Sequence, residues 1–481
     1  MIHMKERVSF SKYHTILLYV WVVIVSTAYS FIAVQRYNRL GSATYDLGFF
    51  DQILWQLSHF QWPYVSLYNR FFLGDHLTLT LPLLSTIYWV WNDVRALLIF
   101  QAIWLTVSSL AIYKLAIQRN FSSFFSFAIA FGYSLFYGIQ SAIFHEFHPI
   151  SFAVGLLAWF LYFLESGQKK LFWVFLILFL LTQENMGIAL ACVGAIYFFY
   201  PLYRRAAIWF VVGGLIYAGL ATWLVSKFSP IGYEYVPALS TSVMTNISGL
   251  FDHPEKRLVW VYSLTSFLLL PVFSAGSMIA ISVDLWQFFV AGNMYDWMRP
   301  PSAHHRAMLA IFMVLGTLEV MGRVANKRLL QQMVACALIV VSICSVFVFR
   351  QPLLNIFSSE FYVSVPWIAD ARKLFARIPT NYAIATYQNF GPFLSHRNIL
   401  YIVEPKLYGP HKNPCKIKSD CWWLDIPLDA HYVVVTSNTI EDRKKMRNFD
   451  IFQTAIMNME RVEYLREIDR EGRVAVYKIH R

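Results

Sequence analysis

Long apolar runs dominate this chain, and short polar stretches interrupt them at intervals that suit a bilayer. A helix needs ~20 apolar residues to cross one. Runs near that length lie at about 15–35, 94–117, 123–143, 150–166, 206–226, 306–322 and 329–349. The run 171–203 is too long for one helix, and Gln183-Glu184-Asn185 divides it into an outgoing and a returning one. Residues 258–272 and 275–291 read as a hairpin around Pro271 and Gly276. These segments add up to about eleven crossings. The run 77–91 is short and holds Pro82, so it is expected to be a partial or re-entrant element. A full crossing there would invert every later loop. Residues 47–57 carry Phe50, Ile53, Leu54 and Leu57 at helical spacing, the pattern of a helix lying in the membrane interface.

Beyond about residue 352 the pattern changes to a polar segment of mixed charge. Residues 371–378 read as the end of a helix. Residues 382–387, 399–403 and 431–436 read as short buried strands, and 464–469 with 474–479 as a closing hairpin about Glu471-Gly472. The expected organisation is a helical membrane domain over 1–350, with an outer loop at 36–92, and a small α/β domain over 351–481.

Composition and charge fix the class and the orientation. Of 481 residues 57% are hydrophobic and 14% charged, with mean hydropathy +0.48. Soluble domains carry about a quarter charged residues, so the chain is a polytopic α-helical membrane protein. Lys5, Arg7 and Lys12 precede the first span, and no small-residue cleavage pattern follows it, so it is read as uncleaved. Lys114 and Arg119, Lys169-Lys170, Arg204-Arg205, and Arg323 with Lys327 and Arg328 mark alternate helix ends. By the positive-inside rule the N-terminus lies in the cytoplasm and the C-terminal domain outside. The net charge of +12 comes from this punctuation, not from a basic stripe, so nucleic acid is not an expected partner. Cys192, Cys336 and Cys344 lie in apolar runs and read as packing residues. Cys415 and Cys421 could pair in an oxidising compartment.

With that topology, five polar clusters fall on the outer side: Asp46 with Asp51, Asp75-His76, His145-Glu146 with His148, Glu184, and His304-His305. Ionisable groups at membrane depth are costly unless paired or hydrated, which makes them site candidates. The clusters are expected to converge on one wet pocket. Asp46 suits a general base that takes a proton from a hydroxyl; its other reading is a helix cap. Asp51, also a catalytic candidate, would lie off that helical face, as a supporting, metal-side or solvated residue. Asp75, His76, His145, Glu146 and His148 offer oxygen and nitrogen ligands to a divalent ion such as Mg or Mn, or else are hydrogen-bonded helix ends. Glu184, Arg299, His304, His305 and Arg306 are candidates for binding substrate and its phosphate, since cations stabilise a departing anion. No acid/base pair is evident within the C-terminal segment itself.

The order Tyr45-Asp46-Leu47-Gly48 with Asp51-Gln52, then Asp75-His76, His145 to Pro149, Glu184 and His304-His305 resembles the bacterial membrane family catalogued as domain of unknown function 2079. The tail is similar too, at Ile378-Pro379, Ala383-Ile384-Ala385, Pro392 to Arg397 and the Tyr-Val-Val-Val at 432–435. The family's split-helix motif is Lys-Glu-Asp, whereas Gln183-Glu184-Asn185 lacks two of those charges. That resemblance implies a GT-C-like fold: a membrane glycosyltransferase using a lipid-linked sugar donor, a polyprenyl phosphate, and a glycan, lipid or protein acceptor. It also implies the bacterial cytoplasmic (inner) membrane. Two rivals remain. A transporter or flippase for a lipid-linked or phosphorylated solute needs polar groups along the whole path, and here they gather at one face. A non-catalytic envelope scaffold would use the tail as its binding module.

Overall fold

A computed structural model describes residues 2–235, 240–290, 293–363, 365–416, 421–436 and 449–481. The chain divides into two compact units. The first comprises Met1–Gln35, Leu73–Leu83 and Arg95–Phe361; the second comprises Arg36–Phe72, Leu84–Val94 and Tyr362–Arg481. The segments expected as one outer loop, 36–92, are thus shared between the two.

The first unit is helical. Each expected span falls on helix, and six helices are long and apolar enough to cross a membrane: Lys12–Asn38, Val94–Gln118, Ser123–His145, Pro201–Phe228, His304–Gly322 and Arg328–Val348. Pro149–Glu165, Met186–Tyr197 and Ala275–Phe289 are apolar but shorter. Residue 291, the expected end of the last of these, lies outside the described residues. The 258–272 segment is less regular than its composition implies. Its helix, Pro254–Ser266, stops early, and a 3₁₀ turn Leu270–Phe273 follows. Ser123–His145 is broken at Phe136, whose ψ of 135° leaves the helical range.

Small residues bring these helices together. Gly187 and Gly214 face each other on Met186–Tyr197 and Arg204–Phe228, and a Cβ on either would collide with the other's carbonyl oxygen. Lipid supplies no hydrophobic drive between helices, so such close backbone approach is what binds them. Arg204–Phe228 instead exposes Trp209, Leu215, Ile216, Leu220 and Trp223, an apolar face suited to lipid. Three helix ends expected on one side of the membrane are tied by a buried network. Arg119 pairs with Glu165 at 2.5 Å, and the Tyr197 hydroxyl donates to the same carboxylate at 2.5 Å.

The second unit is α/β. Strands Leu400–Ile402, Ile384–Thr386 and Tyr432–Thr436 run parallel, and the antiparallel hairpin Val474–Ile479 and Leu465–Glu471 extends the sheet. Helix Pro366–Arg377 buries Trp367, Ile368, Ala371, Leu374 and Phe375 against Phe390, Leu394, Val434 and Val476. At about 1.5–3 kcal/mol for each large apolar side chain, that face alone secures the helix. Helix Phe449–Arg461 buries Phe452, Ala455, Ile456 and Met459 in a second core with Val433, Val435 and Ala475. Alternate residues of the central strand therefore enter opposite cores, as a period of two requires. A separate ribbon, Pro405–Tyr408 with Cys421–Leu424, carries the Cys415–Cys421 disulfide.

Candidate active site

The second unit receives Asp46 and Asp51. Ala43 is extended, and Thr44–Gly48 forms one wide helical turn that leads into helix Phe49–Ser58. The Thr44 amide donates to the Gln388 carbonyl at 3.0 Å, and its hydroxyl bonds the same oxygen. A Cβ at Gly391 would overlap that hydroxyl, which accounts for the glycine. Asp46 is half-buried within the turn.

Helix Phe49–Ser58 does not lie in an interface with one wet face. Asp51 and Gln52 are as buried as Ile53 and Leu54, because a remote segment covers the face that the sequence pattern leaves polar. Asp51 accepts hydrogen bonds from the hydroxyls of Tyr88 and Ser395 and faces His396 Nε2 at 3.2 Å. Gln52 donates to the carbonyls of Arg397 at 3.0 Å and Asn398 at 3.3 Å. Asp51 is therefore not solvated, and the C-terminal segment does take part in an acid/base pair, through His396. Burial works to depress the His396 imidazole, but Asp51 outweighs it and raises the pKa above its ordinary value. Arg397 donates to the carbonyls of Pro379 at 3.2 Å and Tyr382 at 3.0 Å, and burial pushes its pKa down to about 10.

The first unit holds the other candidates in two groups. Glu184 lies in the turn between Lys169–Leu180 and Met186–Tyr197. Its carboxylate meets His76 Nδ1 at 2.7 Å, the Leu77 amide at 3.0 Å and the Tyr233 hydroxyl at 2.9 Å. Burial works to raise its pKa, and His76 with the Leu77 amide outweighs that and lowers it. Asp75 stands 3.7 Å from the other ring nitrogen of His76 and accepts from Tyr235, whose ring stacks on His76. Tyr88, Tyr233, Tyr235, Ser395 and His396 were not among the sequence candidates. Each touches a candidate acid only after folding, although the Ser395-His396-Arg397 run was conspicuous in the tail.

The second group is an imidazole stack. His148 and His304 lie face to face with ring centroids 3.5 Å apart, His305 is 3.9 Å from His304, and His145 is 5.1 Å from it. Gln101 fixes the corner by donating to the Glu146 carbonyl at 2.7 Å and accepting from the His148 amide at 3.0 Å. Glu146 has φ of 140°, a strained conformation of the kind stored at functional sites. Arg306 is fully buried over the rings of Phe288 and Phe289 and donates one hydrogen bond to the Met298 carbonyl. Its Nε and Nη1, and the Nδ1 atoms of His304 and His305, have no hydrogen-bond partner among the described residues. Arg299 is held at 2.7 Å by exposed Asp296.

A Mg or Mn site fits this arrangement poorly. Among the described residues no group of three His, Cys, Asp or Glu side chains is set to hold a metal ion. His76 has its two nitrogens turned to Glu184 and Asp75. His148 and His304 present ring faces to each other, so their nitrogen lone pairs do not converge.

Two crystal structures of ArnT from Cupriavidus metallidurans resemble this fold. The apo form has 13% identity and a TM-score of 0.49, over 95% of this chain and 97% of that one. The form bound to undecaprenyl phosphate has 13% identity and a TM-score of 0.51 over the same shares. The second likeness shows the GT-C-like architecture expected from the sequence. No curated protein matches the chain. Residues 36–408 match the family described as "Predicted membrane protein (DUF2079)", and the chain belongs to that family.

Proposed function

We propose that this protein is a membrane glycosyltransferase that moves a sugar from a polyprenyl-phosphate donor to a glycan, lipid or protein acceptor. The reaction takes place on the outer face of the bacterial cytoplasmic membrane, with the N-terminus inside and the C-terminal segment outside. The observation that carries this reading is the set of N–H groups on buried Arg306, beside His304 and His305, that have no hydrogen-bond partner among the described residues. A buried guanidinium held by a single hydrogen bond is costly. A lipid phosphate is the ligand that would satisfy it, and Arg is the side chain best shaped for that anion. The undecaprenyl phosphate bound by the similarly folded ArnT supports this choice of donor.

In the proposed reaction Asp46 accepts the proton of the acceptor hydroxyl, and that oxygen attacks the anomeric carbon. The bond from that carbon to the phosphate oxygen breaks, and its electron pair leaves with the lipid phosphate. In the first unit, Arg306, His304 and His305 are the groups proposed to hold a lipid phosphate, with Arg299 contributing once it is released from Asp296. Glu184 is a positioning residue that fixes the ring of His76. Asp46→Asn keeps the shape and removes the base. The expected result in vesicles carrying a labelled polyprenyl-phosphate sugar is a transfer rate lower by about 10²–10⁴. Transfer by the variant at the wild-type rate overturns the assignment of Asp46.

A further inference from the structure

The second unit contains a cavity of about 440 Å³ lined by Tyr45, Ser66, Asn69, Tyr401, Pro427 and Asp429, with Leu67 and Ile402 completing the wall. This volume lies within the range of small-molecule sites, about 300–1,000 Å³. The lining comes from four stretches of sequence, the last of them carrying Pro427 and Asp429. The turn Thr44–Gly48 brings Tyr45, the 66–69 corner brings Ser66 and Asn69, and strand Leu400–Ile402 brings Tyr401. Ser66 locks the corner to that strand: its hydroxyl donates to the Leu400 carbonyl at 2.7 Å and accepts the Leu400 amide at 2.9 Å. Asn69 turns the chain with φ of 50° and accepts a hydrogen bond from the Tyr64 hydroxyl. Across the cavity, the Tyr401 hydroxyl donates to Asp429 Oδ2 at 2.5 Å.

The structure assigns this cavity, by its chemistry, to a neutral carbohydrate. Two tyrosine rings offer flat apolar faces for the C–H side of a pyranose. The other Asp429 oxygen and the Asn69 amide N–H groups remain to accept from and donate to vicinal hydroxyls. Its charge argues against a phosphorylated occupant. Asp429 is in the wall, Glu404 acts electrostatically on Tyr45, and among the described residues no Lys or Arg lines the cavity. Tyr45 precedes Asp46 in one turn, so the cavity adjoins the segment that carries the proposed base. Naming that sugar the acceptor rests on the proposed transfer; the carbohydrate site does not.

The test uses the full chain in lipid nanodiscs, with methyl glucoside, methyl N-acetylglucosaminide and glucose 6-phosphate as probes. Saturation-transfer NMR is expected to show the neutral glycosides bound with Kd on the order of 1 mM and the phosphate unbound. Tyr401→Ala and the surface change Asp429→Asn are each expected to weaken binding about tenfold. In the transfer assay Asp429→Asn is expected to raise the acceptor KM about tenfold with kcat within about twofold. Neutral glycosides that fail to bind, that bind both variants as well as the wild type, or that bind less tightly than glucose 6-phosphate, overturn the site. Glycoside binding lost in the variants of a protein that transfers nothing would uphold the site and remove only the acceptor's name.

Discussion

Two buried polar knots, one in each unit, are put together by opposite rules. In the second unit Asp51 lies at zero exposure, yet both of its oxygens are engaged, by Tyr88, Ser395 and His396. In the first, Arg306 is equally buried and leaves two of its nitrogens without a partner among the described residues, beside His304 and His305 with one each. Folded chains rarely leave buried polar groups unmet. A saturated knot fixes geometry, as the Asp51 cluster does between chain segments more than 300 residues apart in sequence. An unsaturated one retains a cost that a ligand can remove. The contrast separates structure from function better than residue type does, since both knots contain charged groups and imidazoles.

The largest effect expected from this contrast is at Arg306. Arg306→Met fills the same volume without charge. Transfer from a polyprenyl-phosphate sugar should fall at least about a hundredfold, the usual loss when one anion-stabilising donor is removed. Thermal stability in detergent should hold, because the guanidinium makes only one hydrogen bond, to the Met298 carbonyl. A melting temperature that drops along with activity would make Arg306 a structural residue and erase the contrast. Next in size is Asp51→Asn, which weakens three hydrogen bonds at once. The second unit should lose roughly 2–4 kcal/mol, read by denaturant unfolding with a tryptophan probe. A double-mutant cycle with His396→Gln should return a coupling of about 1–3 kcal/mol. Unchanged stability with abolished turnover would instead restore Asp51 to the catalytic role its neighbour Asp46 holds.

Most of the helical architecture was legible because the length of an apolar run is a local signal. The expected spans from 15–35 to 329–349 fall on helix except 258–272, whose helix stops at Ser266, and residue 291, which lies outside the described residues. So was the sheet, through the short β-branched runs at 384–386, 400–402 and 432–436. Helix Phe449–Arg461 and the ribbon Pro405–Tyr408 with Cys421–Leu424 were missed. The helix is amphipathic rather than wholly apolar, and the ribbon pairs strands across a loop. The polar pairings were harder to read. Glu184 and His76 are 108 positions apart, and Asp51 and His396 are 345 apart. Nothing local marks either pairing. The 47–57 pattern misled for the same reason: its polar face is buried by Ser395, His396 and Arg397, so a stripe that suggested water faces protein instead.

Smaller effects follow from the two titrating pairs. The folded-state pKa of His396 is raised, so its contribution is full below the ordinary imidazole value of about 6.5 and is lost as pH rises through the raised value. Glu184 has the opposite sign: its pKa is lowered, so its contribution is present above the ordinary carboxylate value of about 4.5 and lost as pH falls through the lowered one. Hydrogen exchange of the sheet amides should therefore quicken on the alkaline side, and amides near 184–187 on the acid side. Asp51→Asn should flatten only the first trend. A single trend common to both units would show that they unfold together and that the pairs are not read separately.

The smallest expected effect is that of a chelator. The acids that a divalent ion would need, Asp75 and Glu184, already face the two nitrogens of His76, and a metal would have to break the 2.7 Å contact to enter. The histidines that would complete its shell are stacked ring on ring. Dialysis against EDTA should thus leave both transfer and melting temperature where they were. Activity that disappears with EDTA and returns with Mg or Mn would mean that the first unit rearranges around an ion, with His76 turning from a carboxylate partner into a ligand. In that case the unmet donors on Arg306 would no longer be the strongest sign of where the phosphate binds.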